Sequence, residues 1–168
     1  MRKAVFLDRD GVINGGILHE GRPFAPASLS EFHVLPGVSA ALEQLRAAGY
    51  LTIVCTNQPD VHRGAVKQSD VAAIHAFMRE QLAVDDIRVC FHDDQDECAC
   101  RKPKPGMLMA AAVDWEIQLG RSFMVGDRWR DIDAGRAAGC ATVLVNRFPE
   151  ARQAEPDIEL ADLQRAAE

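Results

Sequence analysis

Short apolar runs alternate along this chain with segments whose apolar positions recur every three or four residues. The runs at 4–7, 51–55, 87–91, 123–125 and 142–145 are short, continuous and bounded by polar or glycine-containing stretches, which is the pattern of buried strands. Between them the helical period takes over. Pro36 and Gly37 precede a first helix with Val38, Leu42 and Leu45 on one face, ending at Gly49, a residue suited to the left-handed turn that closes helices. A second helix is predicted from near Ser69, burying Val71, Ile74, Met78 and Leu82, and a third after Pro105 with Leu108, Ala111, Ala112 and Trp115 on its inner face. A shorter one should run over 131–138 and stop at Gly139. Strands alternating with helices predict an α/β fold: a Rossmann-like parallel sheet with helices on both faces.

The stretch 11–36 lacks either period and holds Gly15, Gly16, Gly21, Pro23 and Pro26, so it reads as a long loop over the sheet, a kind of loop that is commonly functional. The tail after Pro149 is polar as far as Pro156 and closes with a short helix near 161–166. No repeat, low-complexity tract or linker interrupts the pattern, and 168 residues suffice for one ordinary domain, 1–168. With 48% hydrophobic residues the chain can bury a substantial core. A formal net charge of -6 speaks against nucleic-acid or anionic-membrane partners, which need a surplus of Lys and Arg on at least one face. No apolar run approaches the roughly 18 residues of a membrane span. Met1-Arg2-Lys3 leads straight into a strand, so a cytoplasmic protein is expected.

Ligands of open parallel sheets bind beyond the carboxyl ends of the strands, and each polar motif here falls just after a predicted strand. Asp8 and Asp10 flank Arg9 where the first run meets Gly11. An ionised Asp8 could attack phosphorus while Asp10 protonates the leaving oxygen; the plainer alternative is an Asp-rich turn. Thr56, Asn57 and Gln58 offer a hydroxyl and amides for phosphate oxygens, or simply cap a turn. Arg101, Lys102 and Lys104, set among prolines, would offset charge on a transferring phosphoryl group, or form a solvated basic loop. Asp127, with Asp8, suits a hard cation such as Mg²⁺; Asp131 would orient that ion's outer shell, or cap the following helix.

Five cysteines cannot all pair, and Cys90, Cys98 and Cys100 crowd beside His92. Cys90 and His92 are alternate residues at an extended strand end, as are Cys98 and Cys100, so each pair points to one side. A closed Cys₃His set favours structural Zn²⁺ over a catalytic ion, in a loop at 90–100 directly upstream of Arg101 and Lys102.

The set FLDRDGVIN, TNQ, RKPKPGM and VGDRWRD, in this order across most of the chain, resembles the haloacid dehalogenase-like phosphatases. The resemblance implies that fold without a large cap domain, Asp8 as nucleophile, Asp10 as general acid/base, and Thr56 and Lys102 as stabilisers of the phosphoryl group. It further implies Mg²⁺ held by Asp8, the Asp10 carbonyl and Asp127. The zinc loop running into CRKPKPG is similar to the branch acting on D-glycero-D-manno-heptose 1,7-bisphosphate or histidinol phosphate, and Arg63-Gly64 after TNQ is closer to the heptose side. That branch implies a small phosphorylated sugar as substrate, losing its 7-phosphate, with Arg63, Arg101 and Arg128 contacting the distal phosphate or the sugar. It also implies a monomer serving lipopolysaccharide or other glycoconjugate synthesis. The alternatives are a histidinol-phosphate phosphatase and, in another class, a non-catalytic protein that binds a phosphorylated metabolite. His19, His33 and His75 take no role in this reading, and Trp129 either stacks on a sugar or covers the sheet end.

Overall fold

In the computed structural model, which describes residues 1–19, 22–146 and 155–168, the five anticipated strands join in one parallel sheet. They are β1 (Lys3–Leu7), β4 (Tyr50–Asn57), β5 (Asp86–Cys90), β6 (Phe123–Gly126) and β7 (Ala141–Leu144). A sixth, β8 (Ile158–Glu159), adds to the edge, giving the order β5-β4-β1-β6-β7-β8. Stretch 11–36 is more structured than expected: β2 (Ile17–His19) and β3 (Arg22–Phe24) form an antiparallel hairpin above the sheet. Strands of two or three residues are too short to show a period, which is why the pattern missed both. Residues 149–154 of the anticipated polar tail lie outside the described residues.

β1 is central, pairing with β4 over five positions and with β6 over three. Its side chains alternate between two cores, as a strand must. Val5 and Leu7 face α1 (Val38–Ala47), α3 (Gln68–Gln81) and α6 (Leu163–Ala167), packing with Leu42, Ile74, Met78 and Leu163. Ala4 and Phe6 face the other way, onto Met107, Leu108 and Ala111 of α4 (Gly106–Asp114). α5 (Trp129–Ala138) shares this second face, where Gly135 lies so close to Met124 that an added Cβ would fall 2.5 Å from the methionine's Cβ. The short α2 (Pro59–His62) follows β4. The chain moves from β1 to β4 and β5 on one side and to β6 and β7 on the other, so the direction of winding reverses beside β1 and opens a crevice at the strand ends. Among the described residues no helix is long and apolar enough to cross a membrane.

Candidate active site

Asp8 stands at the end of β1, where its backbone N–H donates to Val125 O at 2.9 Å and so fixes it beside β6. Its Oδ1 accepts from the Arg9 N–H at 2.8 Å and lies 2.8 Å from Lys102 Nζ, which is also 2.6 Å from Asp131 Oδ1. Lys102 is buried, and Asn57 holds its backbone from both sides: Nδ2 donates to Lys102 O at 3.0 Å, and Lys102 N–H donates to Oδ1 at 3.1 Å. Asp131 also accepts from the Arg128 N–H at 3.1 Å. Two glycines make room for the acids. A Cβ on Gly11, whose φ is +90°, would lie 2.0 Å from Asp127 Oδ2, and one on Gly126 would lie 2.1 Å from Asp131 Cβ.

Carboxylate oxygens of Asp8, Asp127 and Asp131 thus lie within 4.8 Å of one another, all three residues buried. Burial pushes the Asp8 carboxyl up from 3.8 to about 7, reinforced by the Asp131 charge and only partly opposed by Lys102. Burial, then Asp8 and Asp131, push Asp127 up to about 9. Burial acts to lower the Lys102 pKa, but the Asp131 and Asp8 charges outweigh it and the pKa rises. Lys102 and, at 3.9 Å from Asp127 Oδ2, Arg128 Nε are the cations beside three crowded carboxyls that could not all ionise without a further cation, and the buried Asp127 Oδ1 has no hydrogen-bond donor among the described residues. An all-oxygen, electron-rich set with an orphaned acceptor fits a hard divalent cation such as Mg²⁺.

Asp10 sits in a collar of donors. Oδ1 accepts from Arg9 Nε at 3.1 Å and Asn14 Nδ2 at 3.0 Å; Oδ2 accepts from Arg9 Nη2 at 3.0 Å and Gln58 Nε2 at 2.7 Å. Gln58 Nε2 also donates to Thr56 Oγ1 at 2.9 Å, tying the acid to the end of β4.

A cavity of about 290 Å³ opens over Asp8 and Asp10, lined by Asn57, Lys102 and the four arginines 63, 101, 128 and 130, with Phe24 of the hairpin at its rim. Two acids between the zinc-type ligands organise three of these arginines. Asp93 receives Arg63 Nε and Nη2 at 2.6 and 2.7 Å, and Asp94 receives Arg101 Nε at 2.8 Å and Arg130 Nη1 at 3.1 Å. The hydrogen bonds from Arg63 hold the Asp93 carboxyl well below the usual carboxylate range. Behind this mouth, Cys90, His92, Cys98 and Cys100 converge with Sγ and Nδ1 separations of 3.0 to 3.7 Å. A tetrahedron with zinc-ligand bonds of roughly 2.0–2.3 Å has edges of about 3.3–3.8 Å, so the four donors are gathered on the scale of one Zn²⁺. None of the cysteines is in a disulfide.

Residues 99–163 match the HAD-hydrolase-like family. A protein of Rhodopseudomonas palustris named D-glycero-beta-D-manno-heptose-1,7-bisphosphate 7-phosphatase is 40% identical over 150 residues, 82% of this chain and 80% of that one. The chain belongs to the haloacid dehalogenase-like phosphatases. The protein of the same name from Escherichia coli K12 is 34% identical, over 97% of this chain and 92% of its own. The crystal structure of D,D-heptose 1,7-bisphosphate phosphatase from B. bronchiseptica, complexed with magnesium and phosphate, superposes with a TM-score of 0.83. That structure is 34% identical, covering 98% of this chain and 96% of that one.

Within this haloacid dehalogenase-like frame, Asp8, Asp10, Asn57, Arg63, Arg101, Lys102, Arg128 and Asp131 all border one cavity, whereas Thr56, Gln58 and Asp127 are buried behind that lining: Gln58 reaches Asp10, Thr56 reaches Gln58, and Asp127 lies beside Asp8 and Asp131. Three expectations change. Asp131 is not the residue that precedes α5 but its third, because the helix begins at Trp129; its carboxylate divides between the Arg128 amide and Lys102. The side-chain amide of Asn57 is engaged with the Lys102 backbone, so in this conformation it holds the lysine loop rather than a ligand. Gln58 likewise spends its amide donor on Asp10 and Thr56. Trp129 takes the Arg130 guanidinium over its ring at 4.8 Å. Arg130 and Phe24 at the mouth and Arg9 beneath Asp10 were unassigned from sequence; the one available signal was Arg9's place between two carboxylates.

Proposed function

We propose that the chain is a Mg²⁺-dependent phosphomonoesterase that removes the 7-phosphate of D-glycero-D-manno-heptose 1,7-bisphosphate through a phosphoryl ester of Asp8. The observation that carries this reading is Asp8 itself: a buried carboxylate at the switch point of the sheet, with Lys102 and the Arg9 amide on one oxygen, which leaves Oδ2 the capacity for a new bond. In the first step Asp8 forms an O–P bond as the ester O–P bond breaks, and Asp10 delivers a proton to the departing sugar oxygen. Water then attacks phosphorus, Asp10 takes its proton, and inorganic phosphate leaves with the Asp8 carboxylate restored. For either proton transfer Asp10 must release one of its four donors, of which Gln58 and Asn14 are the neutral ones. Lys102 and Thr56 meet the phosphoryl oxygens. Asp8, Asp127 and the Asp10 carbonyl would hold Mg²⁺, with Asp131 orienting its outer shell, and the ion would supply charge that compensates the phosphoryl group.

Arg63, Arg101 and Arg128 face the distal phosphate or sugar, and Cys90, His92, Cys98 and Cys100 would hold a Zn²⁺ that braces the loop carrying Arg101. Zinc analysis should return about one equivalent, and Cys98→Ser should lower the melting temperature; a metal-free protein of undiminished stability would contradict the assignment. We read the chain as one domain, 1–168, working as a cytoplasmic monomer in glycoconjugate synthesis such as that of lipopolysaccharide. The deciding experiment is turnover of both anomers of the heptose bisphosphate beside histidinol phosphate. With Mg²⁺ present, kcat/KM for the preferred anomer should exceed that for histidinol phosphate by at least about a hundredfold. The reverse order would replace the substrate, and absence of Mg²⁺-dependent release from any sugar phosphate would indicate a binding protein.

A further inference from the structure

Of the buried residues of α3, three are apolar and the fourth is His75, only 5% exposed. Its Nε2 lies 3.3 Å from Nη1 of Arg9, a residue 66 positions away in the chain and wholly buried. A guanidinium has donors only, so Nε2 must present its lone pair and the ring hydrogen sits on Nδ1. Burial, aided by the Arg9 and Arg79 charges and opposed by Asp10, drives the His75 pKa down to about 4, so the ring is neutral at ordinary pH. The opposite edge of the same guanidinium, Nε and Nη2, grips Asp10 at 3.1 and 3.0 Å. The Arg9 main chain is pinned as well, its N–H on Asp8 Oδ1 and its carbonyl accepting from Ile13 and Asn14 at 2.8 and 3.1 Å. With the main chain anchored, the guanidinium is held on one edge by Asp10 and on the other by His75.

We infer that His75 is a positioning residue for the acid/base carboxylate, acting through Arg9, whose tilt it fixes by accepting from Nη1. An apolar side chain at 75 would leave a buried N–H without an acceptor, and the guanidinium would turn toward other oxygens. Asp10 would lose the fork that aims it, although no atom in contact with substrate had changed. This inference rests on the proposed role of Asp10.

The test uses two substrates that differ in their need for a proton: a sugar phosphate, whose alkoxide must be protonated as it leaves, and p-nitrophenyl phosphate, whose phenolate departs unaided. The readout is kcat/KM, which covers steps only through departure of the leaving group. His75→Leu should lower it about tenfold on the sugar phosphate and less than about twofold on p-nitrophenyl phosphate. His75→Gln, which keeps an acceptor at that reach, should recover most of the difference. Equal losses on the two substrates, no loss, or a His75→Gln as impaired as His75→Leu would overturn the inference. Should His75→Leu not fold, a long-range ¹H–¹⁵N spectrum of the unaltered protein at neutral pH still reads the tautomer: a hydrogen on Nδ1 supports the inference, and one on Nε2 refutes it. Asp10→Asn separates the two levels. If it fails to show the leaving-group dependence, the acid/base reading is at fault; if it shows it and His75→Leu does not, the relay alone is wrong.

Discussion

Asp8→Asn is expected to reduce phosphate release by at least about a thousandfold while leaving the fold intact and the metal-free protein more stable at alkaline pH. Asparagine has nearly the shape of aspartate and still offers an oxygen to Lys102, but its amide cannot form the phosphoryl ester. The stability effect follows from the carboxyl's rise from 3.8 to about 7, caused by burial and then by Asp131. A carboxyl that binds its proton more tightly folded than unfolded begins to destabilise as pH passes the unfolded value, and the penalty is complete above the folded one. Asp127, pushed up to about 9, behaves in the same way over a wider span. Metal-free protein should therefore melt at progressively lower temperature between pH 5 and 9 on account of these two groups, less steeply in Asp8→Asn, and Mg²⁺ should restore the unaltered protein most at the alkaline end. Thermal melts at pH 6 and pH 8, with chelator and with Mg²⁺, read both effects.

Lys102→Met should cost at least about a hundredfold in kcat and, without metal, about 3–5 kcal/mol of stability. The side chain lies between Asp8 and Asp131 at 2.8 and 2.6 Å, and methionine fills similar space without charge, leaving the buried acids to face one another. Mg²⁺ should return part of the stability and little of the activity, because the cation near the acids does not replace a donor aimed at the phosphoryl oxygens. Urea unfolding with and without Mg²⁺ tests the first half, and steady-state turnover the second. A variant within tenfold of the parent in kcat and within about 1 kcal/mol of it in stability would leave Lys102 without either role.

The parallel sheet was legible because each central strand is an apolar run long enough to stand out, and α1 and α3 carry apolar residues at helical spacing, while α4 was marked by Pro105 at its start and α5 by Gly139 at its end. The hairpin of β2 and β3 and the edge strand β8 were not, since two or three residues carry no periodicity. The convergence of Asp8 and Asp127 was readable from strand-end position, because the ends of the adjacent strands β1 and β6 must lie side by side; Lys102, twelve residues beyond the end of β5, was assigned through the family resemblance. What side chains do to one another was not. Nothing in TNQ says that Asn57 clamps the Lys102 backbone, because the contact spans 45 residues and depends on where the loop after the zinc-type ligands turns. His75 illustrates the limit. Its spacing from Val71, Ile74 and Met78 marks a position near the buried face, yet only the fold brings Arg9 to its ring.

The most direct test of a phosphoryl ester on Asp8 is a crystal grown with Mg²⁺ and soaked in beryllium trifluoride, a mimic of the esterified phosphoryl group. The adduct should be bonded to an oxygen of Asp8, with Lys102 within hydrogen-bond distance of its fluorides. An adduct on any other side chain, or an unmodified Asp8 beside bound Mg²⁺, would contradict it.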